Sequence, residues 1–114
     1  MGGCDDWLEI DVESTETVAG IVTEGMAGTG KYVSLYRVQY KAFEDSQWQE
    51  VNGAMEGNDG TDSRKSSFFP DKLSKVARFI RVLPLEWSAA GVGMRVGLLI
   101  CKESHPCIAT EQEE

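Results

Sequence analysis

The sequence predicts an all-β domain, a sandwich or barrel of short strands, on three observations. Short runs rich in β-branched and aromatic residues recur along the 114-residue chain, separated by Gly, Asn, Asp and Ser. Twelve glycines against three prolines suit many short strands joined by turns. No segment has the 3.6-residue apolar period of an amphipathic helix. The length suits one modest domain and not two.

The predicted strands follow one another from the N-terminus. Leu8–Val12 alternates apolar and polar residues, as a half-buried strand does, and a polar turn over residues 13–16 joins it to Thr17–Thr23. We expect these two strands to pair as a hairpin or to lie close together. Further strands are predicted at Tyr32–Tyr40, Trp48–Val51, Ala77–Leu83 and Val92–Ile100.

Ala77–Leu83 is the strand around which the others are expected to assemble. Both of its faces are mostly apolar, which indicates a central position, and Pro84 is expected to end it. In the third strand, alternation places Val33 on the face opposite to Tyr36. Met55–Ser67, which is rich in Gly, Asn, Asp and Ser, is predicted to be a long exposed loop.

Composition excludes several function classes. The formal net charge of -8 argues against binding nucleic acid or an anionic membrane through bulk charge. No apolar run is long enough to predict a transmembrane segment, and the acidic N-terminus lacks the apolar core of a secretory signal. The single histidine, His105, lies near the C-terminus, so no nucleophile–base arrangement of an enzyme is predicted.

The three cysteines are Cys4, Cys101 and Cys107. This count allows at most one internal disulfide. None of the spacings is the short CxxC of a zinc or redox site, and a metal site built from Cys101, His105 and Cys107 would lack a fourth ligand. No metal site is therefore predicted here.

A set of short motifs runs in order along nearly the whole chain, from Trp7 to Cys101. The motifs are WLEIDV at 7–12, VAGIVTEG at 18–25, YRVQY at 36–40, EGN at 56–58, ARFIRVLP at 77–84, EW at 86–87 and LLIC at 98–101. In content and spacing this set resembles the discoidin domain, also called the coagulation factor V/VIII C-type domain.

The resemblance implies an antiparallel jelly-roll-like β-sandwich. It also implies an extracellular binding module for cell adhesion or surface recognition, and not an enzyme. Members of the family bind through loops at one end of the sandwich, and their ligands include galactose-type sugars, phosphatidylserine membranes, collagen and protein receptors. A carbohydrate ligand is preferred here, because membrane insertion needs several apolar loop residues together with basic ones. Phosphatidylserine binding, or a protein–protein module without lectin activity, remains the alternative.

The resemblance also suggests how the chain is divided. Residues 7–101 form the discoidin-like domain, residues 1–6 are a remnant before it, and residues 102–114 are an acidic tail. The family's N-terminal portion has no counterpart, so we expect a fragment of a longer secreted or cell-surface protein. Cys101 resembles the family's closing cysteine, whose usual partner lies in that N-terminal portion. Cys4 is the expected substitute partner in a disulfide, and the alternative is that Cys4 matches an internal cysteine of the family just before the Trp7 strand.

Two loops hold the candidate ligand-binding residues. The Gly25–Lys31 loop matches one of the family's projecting loops, and the Glu56–Lys65 loop carries side chains that can hydrogen-bond sugar or phosphate oxygens. The candidate residues are Met26, Thr29 and Lys31 in the first loop, and Asn58, Asp59, Arg64 and Lys65 in the second. Asp59 and Asp62 offer oxygens to calcium, but their spacing is not that of an EF-hand, so no cofactor is predicted and calcium stays an open alternative.

Two groups of residues are expected to have structural roles. Trp7, Trp48 and Trp87 lie at strand ends, where packing is a simpler explanation than stacking on a sugar. The strand arginines, among them Arg78 and Arg81, are expected to pair with Glu9 or Asp11.

Overall fold

Eight strands form one curled antiparallel sheet. The structure, a computed structural model, describes residues 8–61, 64–70 and 73–101, together with the backbone of 109–113. The strands are β1 Leu8–Glu24, β2 Val33–Lys41, β3 Gln49–Glu50, β4 Met55–Glu56, β5 Arg64–Phe68, β6 Lys75–Trp87, β7 Arg95–Cys101 and β8 Ala109–Glu113. Their order is β3-β2-β6-β1-β7-β8, with β4 also paired to β2 and β5 to β1. The described residues contain no helix, and the predicted all-β class is confirmed.

The long strand β1 makes the sheet curl. Its first residues, Leu8 to Asp11, pair with β6, whereas its last residues pair with β7 on one edge and with β5 on the other. One strand therefore belongs to both layers of the sandwich, and the layers enclose a single core. The largest fully buried side chains of that core include Tyr36, Phe69, Ile10, Ile21, Ile80 and Leu98.

The predicted hairpin between residues 8–12 and 17–23 is wrong, because both segments are parts of β1 and both pair with β6. The polar residues between them form a bulge, where the register shifts between Asp11 and Glu16. Glu13 adopts a φ of 70°, and its N–H donates to Asp11 Oδ1 over 2.8 Å. Such a bulge lets a strand bend without ending, which a polar run in the sequence does not distinguish from a turn.

The central strand is confirmed, although Pro84 does not end it. β6 lies between β2 and β1 and continues through Pro84 to Trp87. Pro84 lies opposite Tyr36, next to a register shift at Leu35 in β2, where a missing N–H donor is tolerated. The same shift places Val33 in the core together with Tyr36, so the predicted division of β2 into two faces is wrong.

The segment Met55–Ser67 is not simply an exposed loop. It contains β4 and most of β5, and the side chains of Met55 and Asn58 are buried.

The backbone of 109–113 forms β8 against β7, where the sequence predicted an acidic tail. Cys101 is disulfide-bonded, but the predicted partner Cys4 lies outside the described residues.

The outer face of β1 and β6 carries the predicted ion pairs. Arg78 Nε and Nη2 donate to the two carboxylate oxygens of Asp11 over 2.9 and 3.1 Å, and Arg81 Nε donates to Glu9 over 3.0 Å. The Arg78 guanidinium holds the pKa of Asp11 below its usual range. Trp48 packs on this face, 4.0 Å from the Arg81 guanidinium, which agrees with its expected structural role.

We expect Tyr36→Phe to stabilise the domain by about 1 kcal/mol, since an unpaired buried hydroxyl opposes folding. Tyr36 is fully buried, its hydroxyl has no hydrogen-bond partner among the described residues, and burial raises its pKa. Above about pH 10 the tyrosine of the unfolded chain ionises first, so the wild type should lose stability that the variant keeps. Urea unfolding of both proteins at neutral and alkaline pH measures this difference. A variant less stable than wild type at neutral pH would show that the hydroxyl has a partner.

Candidate functional site

Several strand ends converge at one end of the sandwich. The antiparallel register places Glu24, at the end of β1, opposite both Arg64 at the start of β5 and Arg95 at the start of β7. It also places Val33, at the start of β2, opposite Trp87 at the end of β6. The loops over residues 25–32, 57–61 and 88–94 therefore project from this end. We call it the loop end.

The first candidate loop is held closed by its own hydrogen bonds. The Met26 N–H donates to the Lys31 carbonyl over 3.0 Å, and the Thr29 hydroxyl donates to the Met26 carbonyl over 2.6 Å. The Lys31 N–H in turn donates to Thr29 Oγ1 over 3.1 Å. Gly28 and Gly30 supply the positive φ angles of 81° and 75° that this tight loop needs. Thr29 thus shapes the loop, which leaves the Met26 side chain 40% exposed.

This loop rests on the segment that follows β6. The Tyr32 N–H donates to Ser88 Oγ over 3.1 Å, and the Ser88 N–H donates to the Tyr32 carbonyl over 2.9 Å. A Cβ at Gly93 would come within 3.0 Å of the Met26 sulfur and within 2.7 Å of the Lys31 Cβ, so glycine is needed for the two segments to touch. The contacts give the loop end a fixed base.

The second candidate loop is anchored by Gly57 and Asn58. The Gly57 N–H donates to the Ser34 carbonyl and the Asn58 N–H to the Val33 carbonyl, both over 2.9 Å. The Asn58 side-chain amide donates to the Thr23 carbonyl over 3.1 Å, and only 2% of the residue is exposed. Asn58 therefore ties this loop to β1 and β2, and its role as a ligand contact stays a prediction.

A cleft of about 500 Å³ opens beside this loop. Its described lining consists of Tyr32, Ser34 and Trp87 on one side, residues 56–59 along the chain, and Arg64 and Lys65 of β5. The structure thus brings together four of the seven candidate residues, namely Asn58, Asp59, Arg64 and Lys65. The volume lies within the usual range for a small-molecule site.

The cations of the cleft have carboxylate partners on other strands. Arg64 Nη1 lies 3.1 Å from Glu24 Oε1, and Lys65 Nζ lies 3.4 Å from Glu56 Oε1. These pairs are partly exposed, so each adds little to stability. The cleft therefore presents hydrogen-bond donors and acceptors side by side and not a basic patch.

The other candidate residues lie elsewhere at the loop end. Met26 and Thr29 line a smaller notch of about 270 Å³ together with Glu24, Thr61 and Arg95. Lys31 is not among the described lining residues of either hollow. Asp62, the second of the two proposed calcium ligands, lies outside the described residues, and within the described ranges no three His, Cys, Asp or Glu side chains group as metal ligands.

The candidate residues predicted from the sequence did not include several aromatic and charged residues of these hollows. Tyr32 and Trp87 bring two aromatic side chains to the cleft, although Trp87 also packs partly against the core, as predicted. Glu24 and Arg95 lie in the notch. Their common position at strand ends could have predicted them, because antiparallel pairing places the end of one strand beside the start of the next.

These features define a small β-sandwich whose loop end carries a polar, aromatic-lined cleft. The model of the F5/8 type C domain matches residues 2–98. Over 105 residues the chain is 35% identical to lactadherin from Sus scrofa, a match that covers 84% of this chain and 25% of lactadherin. The chain belongs to the F5/8 type C family, whose members include the discoidin domains.

Solved structures agree with the fold. Recombinant discoidin II of Dictyostelium discoideum has a TM-score of 0.78 at 18% identity, and the match covers 91% of this chain and 40% of that one. A Clostridium perfringens protein solved in complex with GalNAc-β-1,3-galactose has a TM-score of 0.56 at 16% identity, covering 77% and 63%. The chain spans less than half the length of the curated relatives it matches. No helix in the described part of the chain is long and apolar enough to cross a membrane.

Proposed function

We propose that this chain is a glycan-binding module that acts in cell adhesion or surface recognition outside the cell, as part of a longer protein. The observation that carries the proposal is the cleft, whose described lining combines Tyr32 and Trp87 with paired charged side chains. The action is non-covalent. The described lining contains no histidine or cysteine, and the carboxylate of Glu56 is paired with Lys65.

The cleft matches the two kinds of surface that a pyranose presents. Aromatic side chains pack against the apolar C–H face of the ring, and their burial supplies most of the binding energy. Hydroxyl groups both donate and accept hydrogen bonds, so they can bridge a guanidinium or ammonium and its neighbouring carboxylate. Tyr32 and Trp87 supply the first kind of contact, and Arg64 and Lys65 with their partners supply the second.

A galactose-type sugar is the first ligand to test. The structurally similar Clostridium perfringens protein was solved with GalNAc-β-1,3-galactose, which makes galactosides the natural probes. A single sugar in an open cleft should bind weakly, with a dissociation constant on the order of 0.1–1 mM. Display of many sugars on a surface raises the apparent affinity, as adhesion requires.

The second candidate function is binding to phosphatidylserine membranes through the notch. Met26 is the exposed apolar side chain of its loop, and Arg95 lines the same notch. One apolar side chain beside one arginine is a weak anchor, since stable membrane attachment needs larger apolar area or more basic residues. A protein ligand at the loop end is the third candidate.

We predict that the protein binds immobilised galactosides and that free galactose competes. A glycan array, followed by calorimetry with the best glycan, measures this directly. Sedimentation with vesicles of phosphatidylcholine alone, or with added phosphatidylserine, tests the second candidate in parallel. Vesicle binding that requires phosphatidylserine, without glycan binding, would replace the first proposal by the second. If the folded protein binds neither glycans nor vesicles, a protein ligand at the loop end is the remaining candidate.

A further inference from the structure

Three charged residues form a row across neighbouring strands at the loop end. The register places Glu24 of β1 directly opposite Arg64 of β5 on one edge and opposite Arg95 of β7 on the other. Residues that are direct cross-strand partners project their side chains on the same face of the sheet. The Glu24 side chain therefore projects from the same face of the sheet as both arginines, and its Oε1 is 3.1 Å from Arg64 Nη1.

Glu24 also lies between the two hollows. Arg64 lines the cleft, whereas Glu24 itself and Arg95 line the notch. Elsewhere in the lining of the cleft, Glu56 of β4 pairs with Lys65 of β5 at 3.4 Å. The loop end of this acidic chain thus has its cations interleaved with carboxylates.

We infer that Glu24, assisted by Glu56, determines the charge of the ligand that the loop end accepts, by excluding anionic groups. The inference rests on the proposed glycan-binding function for the identity of the favoured ligand, a neutral glycan. A neutral hydroxyl can accept from Arg64 and donate to the Glu24 carboxylate at the same time. A sulfate or phosphate oxygen only accepts hydrogen bonds. The Glu24 carboxylate therefore repels the anion, and it also takes up the Arg64 donors that would otherwise bind the anion.

Removal of this carboxylate charge leaves an anion site. Neighbouring strands are about 4.8 Å apart, so the backbones of Arg64 and Arg95 are separated by about 10 Å across β1. Two long side chains that converge over the middle strand can both donate to one tetrahedral oxyanion placed where the Glu24 carboxylate was. Glutamine at position 24 keeps the size and an acceptor oxygen for Arg64, and removes only the charge.

The test compares one galactoside with the same galactoside carrying a sulfate ester. Calorimetry gives the ratio of the two affinities for wild type, Glu24→Gln and the double variant Glu24→Gln/Glu56→Gln. We expect the wild type to prefer the neutral sugar. The ratio should shift toward the sulfated sugar by about three- to fivefold in Glu24→Gln, and further in the double variant, since each change removes one exposed charge pair.

Glu50→Gln is the matched control. Glu50 pairs with Arg37 at 2.7 Å on β3 and β2, so this variant also breaks an Arg–Glu pair and raises the net charge by one. It lies outside both hollows and should leave the affinity ratio unchanged. A wild type that binds the sulfated sugar as well as the neutral one, or a ratio that moves equally in Glu24→Gln and Glu50→Gln, overturns the inference.

A second arm separates this inference from the proposed function. Inorganic sulfate is titrated at constant ionic strength while the arginine Nε–H signals are followed by NMR. Signals of Arg64 and Arg95 should shift saturably in Glu24→Gln and not in the wild type. If no glycan binds but this difference appears, the proposed function fails and the exclusion of anions by Glu24 stands. If wild type and variant respond alike to sulfate, the inference fails whatever the glycan result.

Discussion

Gly57→Ala is expected to destabilise the domain by about 3 kcal/mol and to weaken glycan binding at the same time. A Cβ on Gly57 would lie 2.3 Å from the Val33 carbonyl oxygen, far inside van der Waals contact. That oxygen accepts the Asn58 N–H, and the Gly57 N–H itself donates to Ser34, both over 2.9 Å. The clash is with backbone, which cannot swing aside as a side chain can, so the strain must displace the loop or β2.

Gly60→Ala is the control for this prediction. Gly60 lies in the same loop, yet within the described part of the chain no heavy atom beyond its two sequence neighbours comes within 4 Å of a Cβ placed there. Its substitution should be neutral, or stabilising by up to about 1 kcal/mol through a less flexible unfolded chain. Urea unfolding gives the stabilities, and calorimetry with a galactoside gives the affinities. Equal stability of the two variants would show that the Gly57–Asn58 anchor does not hold the loop as the hydrogen bonds indicate.

Alternation in the sequence was enough to predict the strands but not their bulges. The period-2 pattern of Leu8–Val12 and the apolar run before Pro84 identify strands, because they report which side chains are buried. Whether a strand ends or bends at Glu13 or at Pro84 depends on the neighbour that continues to pair beyond it. For Glu13 that neighbour is β6, and for Pro84 it is β2, and both lie far away in the sequence.

The candidate site shows the same limit. The family-like motifs directed attention to Arg64 and Lys65, and the structure brings both to the cleft. The carboxylates that neutralise them could not be foreseen, because Glu24 pairs with Arg64 only through the register of β1 with β5, 40 residues apart. The composition gives the net charge of the whole chain. The strand register determines which of those charges lie side by side at the cleft.

Trp87→Ala is expected to weaken galactoside binding by at least about fivefold. The aromatic surface of Trp87 supplies apolar contact that the polar lining cannot replace, and loss of one stacked aromatic ring typically costs about 1–3 kcal/mol of binding. Because Trp87 also packs partly against the core, the variant should be less stable as well. Binding is therefore measured well below its melting temperature, and Trp87→Phe, which keeps a ring, should recover part of the affinity.

Trp48→Ala separates the loss of an aromatic contact with ligand from a loss of stability. Trp48 lies on the outer face, where its ring stacks with the cations of Arg81 at 4.0 Å and Lys41 at 4.8 Å, and it is not among the described lining residues of either hollow. Removing it should cost on the order of 1 kcal/mol of stability, because two cation–π contacts are lost, while the galactoside affinity stays the same. If Trp48→Ala weakens binding as much as Trp87→Ala does, affinity follows general stability and the cleft is not the glycan site. If only Trp87→Ala weakens binding, and Trp87→Phe restores part of it, the ring at the end of β6 contacts the sugar.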